Sequence, residues 1–311
     1  MKTCPACKSN FHDRAPRCPL DGTGLLDAGP DRLAARVVHG RYRLVDRRGA
    51  GTTAEVYRTH DTRTGRLVAV RLLTREYAQD PVQCQRILEH ERAYDRVRPH
   101  PCLLAVLDLV RQGPDGRALL VTEWVDLAPL PELLHTGGAL QPDAALEVLA
   151  QLAALLEHLH AREVLARDLR AASLFVNATD PVTVRVSVDA LSLGPSCEPD
   201  PSTAQGMAPH FAVVYAAPER LRGEPGAPPA DVYALAVLAF EMLTGRPVFQ
   251  GPVAEVVQQH LNAPPPVLRQ YDPQLPQALE ALLARMLAKV PRFRPAAAEV
   301  ARELQALRHV V

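Results

Sequence analysis

The sequence lacks three features that would place it in particular classes of protein. Lysine plus arginine equals aspartate plus glutamate, at 35 each, so the zero net charge does not favour nucleic-acid or membrane-surface binding. No apolar run approaches the ~20 residues of a transmembrane helix. The first residues, MKTCPACKSN, contain no apolar signal segment, so we expect a cytoplasmic protein. What remains is a chain of 311 residues, 47% apolar and 23% charged, which is typical of a globular protein with a large core.

Three of the six cysteines lie near the N-terminus and form a metal-ligand pattern. Cys4 and Cys7 make a C-x-x-C knuckle, and Cys18 begins a second turn of this shape, in which Asp21 occupies the position of a fourth cysteine. Two such knuckles form a zinc ribbon with four tetrahedral ligands. Zinc would supply the folding free energy of so short a segment. The fourth ligand is Asp21 or His12, and the repeated knuckle favours Asp21. The alternative is an unstructured tail with three thiols.

The chain divides into three parts by composition. We expect residues 1–27 to be the zinc-ribbon-like segment, residues 28–40 a polar linker and residues 41–309 the main domain. Short, β-branched segments bounded by turn residues predict antiparallel strands in the first part of this domain, among them Cys102–Val110 and Arg117–Val125, with a helix at Val82–Val97.

Helical periodicity dominates the second part of the main domain. The predicted helices are Pro142–Ala161, Ala230–Gly245, Leu275–Lys289 and Ala296–Leu307. A β-rich half followed by an α-rich half predicts an α+β fold with a small lobe at 41–125 and a large lobe at 126–309. A ligand is expected in the cleft between two such lobes.

A series of short motifs runs through the main domain in a specific order. In chain order these are Gly49–Tyr57, Val68–Arg71, Glu91, Thr122–Val125, Arg167–Leu169, Asp189–Leu191, Tyr215–Glu219, Asp231–Gly245 and Arg292–Pro295. Taken together, they resemble the protein kinase domain of bacterial eukaryotic-type Ser/Thr kinases, over about Arg41 to Leu307. The resemblance implies a bilobal protein-kinase-like fold.

The resemblance also implies roles for individual residues. It assigns nucleotide binding to Gly49, Gly51, Val56, Ala69, Arg71, Glu91, Glu123 and Val125. It assigns catalysis to Asp168 and Arg170, and Mg²⁺ binding to Asp189 and Ser173. It further implies a buried ion pair between Glu219 and Arg294, and it places Asp231 where it would accept backbone hydrogen bonds near the catalytic loop.

Several positions that carry the chemistry in this family hold other residues here. The strand lysine is Arg71, whose planar fork cannot replace a point charge between two phosphates, although it could still pair with Glu91. The catalytic-loop histidine is Ala166, and the metal-binding asparagine is Ser173, a poorer Mg²⁺ ligand. Leu191 replaces a glycine whose φ > 0 conformations are closed to leucine. Other replacements are Ala54 for the third loop glycine, Ala190 for an aromatic residue and Phe211-Ala212 for a Gly-Thr pair.

These substitutions favour a pseudokinase that acts as a signalling regulator or scaffold on an unidentified protein partner, with or without retained ATP binding. The alternative is a divergent active Ser/Thr kinase that transfers the γ-phosphate of ATP to protein through Asp168, Asp189, Arg71 and Arg170. The expected cofactors are zinc in the ribbon, and ATP with Mg²⁺ in the kinase-like domain. Nucleic acid and membranes are not expected partners.

Overall fold

The computed structural model describes twelve stretches of the chain. They are residues 2–3, 10–11, 17, 23–27, 33, 35–50, 54–73, 96–110, 117–167, 169–179, 182–186 and 213–307. The chain forms two compact units, one made of residues 1–91 and 104–126 and the other of residues 92–103 and 127–311. Within the described stretches, none of the helices has the length and apolar character needed to cross a bilayer.

The N-terminal strands form a small antiparallel sheet in the order β2-β1-β3. These strands are β1 (Lys2–Thr3), β2 (Asn10–Phe11) and β3 (Leu26–Asp27). Thr3 pairs with Asn10, and an isolated bridge pairs Arg17 with Gly24. The candidate zinc ligands lie outside the described residues: Cys4, Cys7, Cys18, Asp21 and the alternative His12. Among the residues that are described, no group of three or more His, Cys, Asp or Glu side chains is placed to hold a metal ion.

A six-stranded antiparallel sheet dominates the first unit, in the order β4-β5-β6-β7-β9-β8. Its strands are β4 (Val37–Val38), β5 (Tyr42–Ala50), β6 (Ala54–Asp61), β7 (Leu67–Leu73), β8 (Val106–Val110) and β9 (Leu119–Glu123). Side chains alternate across the sheet, so Val68, Val70 and Leu72 of β7 lie in the core while Ala69 and Arg71 lie on the opposite face, half-buried. The period-2 pattern of this strand therefore separates core residues from candidate ligand-binding residues.

Hydrogen bonds between distant strands show that this sheet is curled. Strands β5 and β8 are separated by three others in the sheet order, yet the Tyr42 hydroxyl at the start of β5 donates to Asp108 Oδ2 on β8 at 2.6 Å. Arg41 donates to both carboxylate oxygens of Asp61 at 2.7 Å, and to Asp108 at 3.3 Å. The Arg41 guanidinium holds the pKa of the Asp61 carboxyl well below its usual range. These bonds stabilise the twisted, curled form of the sheet.

The second unit is mainly helical. Its helices are α1 (Leu130–Gly137), α2 (Pro142–His160), α3 (Pro218–Leu221), α4 (Pro228–Thr244), α5 (Val253–Asn262), α6 (Gln277–Met286) and α7 (Ala297–Leu307). A small sheet in the order β10-β11-β12 accompanies them, with β10 at Ala128–Pro129, β11 at Leu174–Asn177 and β12 at Thr183–Val186. Helix α2 contacts α4, α7 and β12, and α4 is buried on all sides from Ala230 to Phe240. The core of this unit therefore lies around α2 and α4.

The predicted order of a β-rich half followed by an α-rich half is confirmed, but several bounds differ. Helix α4 begins at Pro228, two residues before the predicted start, because proline suits the first helical position. Helix α6 begins only after Pro276, its N-cap, and β8 begins at Val106, not at Cys102. Helix α5 was not predicted, because only Val256 and His260 of its ten residues are buried. Of the predicted helix Val82–Val97, all but the last two residues lie outside the described stretches.

Candidate functional site

One face of the six-stranded sheet carries the described side chains that the resemblance assigns to a nucleotide. Val56 on β6 lies directly opposite Arg71 on β7, and Ala69 lies opposite Thr122 on β9. Directly paired residues project from the same face of a sheet, so these side chains share one surface. Gly49 of β5 pairs with Val56, which places the glycine-rich strand beside this surface. The surface offers small apolar groups next to the Arg71 guanidinium.

The segment after β9 continues from this surface. Two hydrogen bonds to Ala105 hold both the backbone and the side chain of Glu123. The Glu123 backbone N–H donates to the Ala105 carbonyl at 2.9 Å, and Glu123 Oε1 accepts from the Ala105 N–H at 3.0 Å. The next residue, Trp124, is the only tryptophan in the chain, and the Arg48 guanidinium lies 5.6 Å from its ring centre. Val125 follows, half-buried. The indole is therefore a built-in fluorescence probe beside the candidate nucleotide-binding residues.

In the second unit, Asp231 of α4 holds the backbone on the N-terminal side of Asp168. The Asp231 carboxylate accepts hydrogen bonds from the N–H groups of Ala166 and Arg167 at 2.9 and 3.0 Å, as expected from the resemblance. Its Oδ2 also lies 2.9 Å from Nε2 of His160, at the end of α2. These contacts hold Arg167 at φ 53°, a left-handed conformation that is rare for residues other than glycine. Asp168 itself lies outside the described residues.

On the other side of Asp168 the chain closes into a short 3₁₀ turn at Ala171–Ser173. The Ser173 hydroxyl donates to the Arg170 carbonyl at 2.7 Å and accepts from the Arg170 N–H at 3.2 Å. Ser173 is only 4% exposed. The resemblance gives Arg170 a catalytic role and Ser173 a metal-binding role. The side chain of Ser173 is instead hydrogen-bonded to the backbone of Arg170.

A buried tyrosine connects this turn to α4. The Tyr215 hydroxyl donates to Glu241 Oε2 at 2.6 Å and is hydrogen-bonded by the Ala171 backbone. Burial raises the pKa of the Glu241 carboxyl to about 7, even though the Tyr215 hydrogen bond opposes the shift. Burial, and then the Glu241 charge, raise the pKa of Tyr215 well above its usual value. Tyr215 therefore ties its own segment to both the catalytic loop and the central helix α4.

A second buried contact fixes the segment that includes α3. Arg294 Nη1 and Nη2 donate to the two oxygens of Glu219 at 2.6 and 2.8 Å, so the pair to which the resemblance points is bidentate. The same guanidinium donates from Nε to the Ala288 carbonyl at 2.8 Å. These are contacts that hold the large unit together, and they carry no information about phosphate transfer.

The sequence reasoning missed two of these site contacts. It named Tyr215 and Glu241 as parts of separate motifs, without pairing them, and it did not consider His160. The useful signal for His160 would have been its position in the last turn of a largely apolar helix that leads into the catalytic loop. Four of the residues singled out for the kinase-like site lie outside the described stretches: Gly51, Glu91, Asp168 and Asp189.

The chain matches known proteins over most of its length. A family model described as the protein kinase domain matches residues 42–304. A probable serine/threonine-protein kinase of Streptomyces coelicolor is 33% identical over 263 residues, which cover 83% of this chain and 38% of the relative. Serine/threonine-protein kinase PrkC of Bacillus subtilis is 28% identical over 268 residues, which cover 86% of this chain and 40% of the relative. The chain thus spans about 40% of the length of these relatives.

A solved structure agrees in fold. The crystal structure of the Mycobacterium tuberculosis PknI kinase domain has a TM-score of 0.66 and 24% sequence identity, and the match covers 88% of this chain and 99% of that one. At this identity the likeness supports the fold alone, a curled β-sheet unit together with a helical unit. The family model and the relatives carry the assignment further: this chain belongs to the protein kinase family.

Proposed function

We propose that this kinase domain is a pseudokinase, which acts as a regulator or scaffold by binding a protein partner. One contrast carries the proposal: the residues that stabilise the fold are retained and bonded, whereas residues that would perform phosphate transfer are replaced. Asp231 keeps its contacts with the catalytic loop, and Arg294 keeps its ion pair with Glu219. The replaced positions include Arg71, Ala166, Ser173, Leu191 and Ala212.

The replacements fall in separate steps of the chemistry. Phosphate transfer depends on positioning and on neutralising charge, with little covalent work for the protein. Arg71 changes the cation beside the phosphates, Ala166 removes a support of the catalytic loop, and Leu191 stiffens the backbone after Asp189. A protein kinase domain with these replacements is better suited to binding than to turnover.

We also propose that the domain retains nucleotide binding. The support is the shared face of Val56, Ala69 and Arg71, where small apolar side chains suit a flat base and a guanidinium suits phosphate oxygens. The resemblance adds Gly49, Gly51, Glu123 and Val125 to this set, and Glu91 as the partner of Arg71.

Trp124 fluorescence and thermal unfolding test this proposal. ADP or ATP at millimolar concentration should change the indole emission and raise Tm, because a ligand of the folded state raises its stability. Val56→Asp should abolish both effects, while Leu107→Asp, at a site 55% exposed on β8, should leave them intact. If millimolar nucleotide changes neither emission nor Tm, the domain does not bind nucleotide.

We propose a zinc site formed by Cys4, Cys7, Cys18 and Asp21. The support is the pairing of the flanking residues. The Thr3–Asn10 pair encloses residues 4–9, and the Arg17–Gly24 bridge encloses residues 18–23. In both cases a cysteine comes directly after the first paired residue, and the second candidate ligand follows three positions later. Two segments with the same ligand spacing are the pattern from which a ribbon coordinates one tetrahedral ion.

Metal analysis of the purified chain tests the zinc proposal. We expect stoichiometric zinc in the unmodified chain and its loss in Cys4→Ala. Asp21→Ala and His12→Ala identify the fourth ligand, because only the ligand's loss should weaken retention of zinc against a chelator. Equal zinc contents in the unmodified chain and in Cys4→Ala would refute the site.

The domain bounds at 27, 40 and 309 and the cytoplasmic location stay predictions.

The pseudokinase proposal itself is tested by phosphate transfer from radiolabelled ATP, with the chain and a generic protein substrate present together. The matched control is Asp168→Asn, which keeps the size of the side chain and removes the group that would accept the substrate proton. Incorporation equal to that of the control is expected. Incorporation that disappears in Asp168→Asn would establish an active Ser/Thr kinase in its place.

A further inference from the structure

The 3₁₀ turn at Ala171–Ser173 closes the catalytic loop on itself. The Ser173 hydroxyl both donates to the carbonyl and accepts from the N–H of Arg170, at 2.7 and 3.2 Å. This makes Ser173 a cap of the turn, comparable to a serine that caps the end of a helix. With 4% exposure, the residue has almost no surface available to solvent or to a ligand.

This arrangement does not suit a metal ligand. A serine hydroxyl has one proton and two lone pairs, and here the proton and one lone pair are used within the turn. Mg²⁺ requires nearly octahedral oxygens at about 2.0–2.1 Å and usually keeps several waters, which a buried hydroxyl cannot accommodate. The donor that the family would place here therefore does not fit the ion.

The surrounding contacts hold the turn closed. The Ala171 backbone hydrogen-bonds the Tyr215 hydroxyl, which in turn donates to Glu241 at 2.6 Å. Before Asp168, the loop is held by Asp231 through two backbone N–H groups. Turning the Ser173 hydroxyl outward to meet an ion would give up its own two bonds and disturb a loop that is anchored on both sides.

We propose that Ser173 is a structural cap of the catalytic loop and not a metal ligand, so that this loop adds no metal-dependent affinity to nucleotide binding by the domain. The inference rests on one part of the proposed function, the retention of nucleotide binding, and not on the absence of phosphate transfer. It differs from the family expectation at one residue, and it assigns that residue a different task.

Thermal unfolding of the full chain with ADP, with and without Mg²⁺, tests this proposal in the unmodified protein, Ser173→Ala and Thr136→Ala. Thr136→Ala is the matched control, because it removes an exposed hydroxyl that donates to a helix carbonyl at 2.8 Å. Loss of the buried cap should lower Tm by about 2 to 4 °C, while the control should change it by about 1 °C or less. Adding Mg²⁺ should change the ADP-induced rise in Tm by the same amount in all three proteins. A change of zero in all three also agrees with the proposal.

Two results would overturn the proposal. The first is a Mg²⁺-dependent shift in the unmodified chain that Ser173→Ala abolishes and Thr136→Ala preserves. The second is a Ser173→Ala protein with the Tm of the unmodified chain, because the hydroxyl would then not be a cap. Phosphate transfer by the unmodified chain would refute the proposed function without touching this inference, because an active enzyme could hold its metal elsewhere.

Discussion

The most direct stability prediction concerns Arg294, which is enclosed by acceptors. Its side chain is 0% exposed, and that of its partner Glu219 is 5% exposed. Besides the bidentate pair, the guanidinium donates to the carbonyls of Pro229 and Ala288 at 2.9 and 2.8 Å. It also lies over the Tyr233 ring, 4.9 Å from the ring centre. Arg294→Met keeps much of the side-chain volume and removes every one of these polar contacts.

The magnitude follows from what is left behind. Removing one partner of a buried ion pair typically costs about 3–5 kcal/mol, because the other charge stays buried without compensation. Each orphaned carbonyl adds up to about 1 kcal/mol, although contacts within one network do not add fully. We therefore expect a loss of about 4 kcal/mol. For a domain of this size that corresponds to a fall in Tm of roughly 8–16 °C.

Arg285 supplies a matched control, because it too pairs with carboxylates through both Nη atoms. Its partners are Glu299 and Glu303, but its side chain is 43% exposed. Exposed pairs contribute about 0–1 kcal/mol, so Arg285→Met should lower Tm by no more than about 4 °C. Thermal and urea unfolding followed by circular dichroism measures both variants. An equal fall in Tm for the two variants would refute the reasoning. That reasoning holds that burial, and not the number of contacts, determines how much an ion pair contributes to stability.

A double variant examines the cause of the loss. Glu219→Leu combined with Arg294→Met removes both charges, so no uncompensated ion remains in the core. Replacing a buried pair by apolar residues is often close to neutral. The double variant should therefore unfold at a higher temperature than Arg294→Met alone. A double variant as unstable as the sum of its single changes would contradict the argument.

Two further predictions concern buried polar contacts. The pKa of Glu241 is raised from 4.5 to about 7, so the folded state keeps a proton that the unfolded chain releases. The contribution of this group to the free energy of unfolding is therefore greatest below pH 4.5. It falls by about 3 kcal/mol as the pH rises from 4.5 to about 7. Glu241→Gln still accepts the Tyr215 hydrogen bond, and urea unfolding from pH 5 to 8 should show a flatter pH dependence. In the first unit, Asp108→Leu orphans the Tyr42 hydroxyl and should cost about 1–3 kcal/mol in urea unfolding. An unchanged midpoint would show that this bond does not stabilise the curl.

The sequence predicted the parts of the fold that local pattern determines. Helix α2 was placed almost to the residue, because Pro142 marks its first turn and apolar residues recur every three or four positions. The face of β7 that carries Ala69 and Arg71 follows from strict alternation. Helix α5 escaped prediction, because a helix with only two buried residues leaves a weak apolar stripe.

The site was predictable only where a family resemblance supplied the pairing. Asp231 meets the N–H groups of Ala166 and Arg167 across 65 and 64 residues of chain, a contact that no local pattern indicates. The Tyr215–Glu241 bond was missed for the same reason. The closure of Ser173 on Arg170 is local, but it depends on backbone geometry within one turn, and a serine in a sequence is equally consistent with an outward-facing hydroxyl.

The central claim is that this protein kinase domain does not transfer phosphate. The most direct measurement is the initial rate of label transfer from γ-labelled ATP, with Mg²⁺ or Mn²⁺, for the unmodified chain and for Asp168→Asn purified in parallel. An active bacterial Ser/Thr kinase domain serves as the positive control. The account predicts a ratio of about 1 between the two proteins, because a transfer step that does not occur cannot depend on Asp168. A ratio of about 10 or more, with label on serine or threonine, would contradict it.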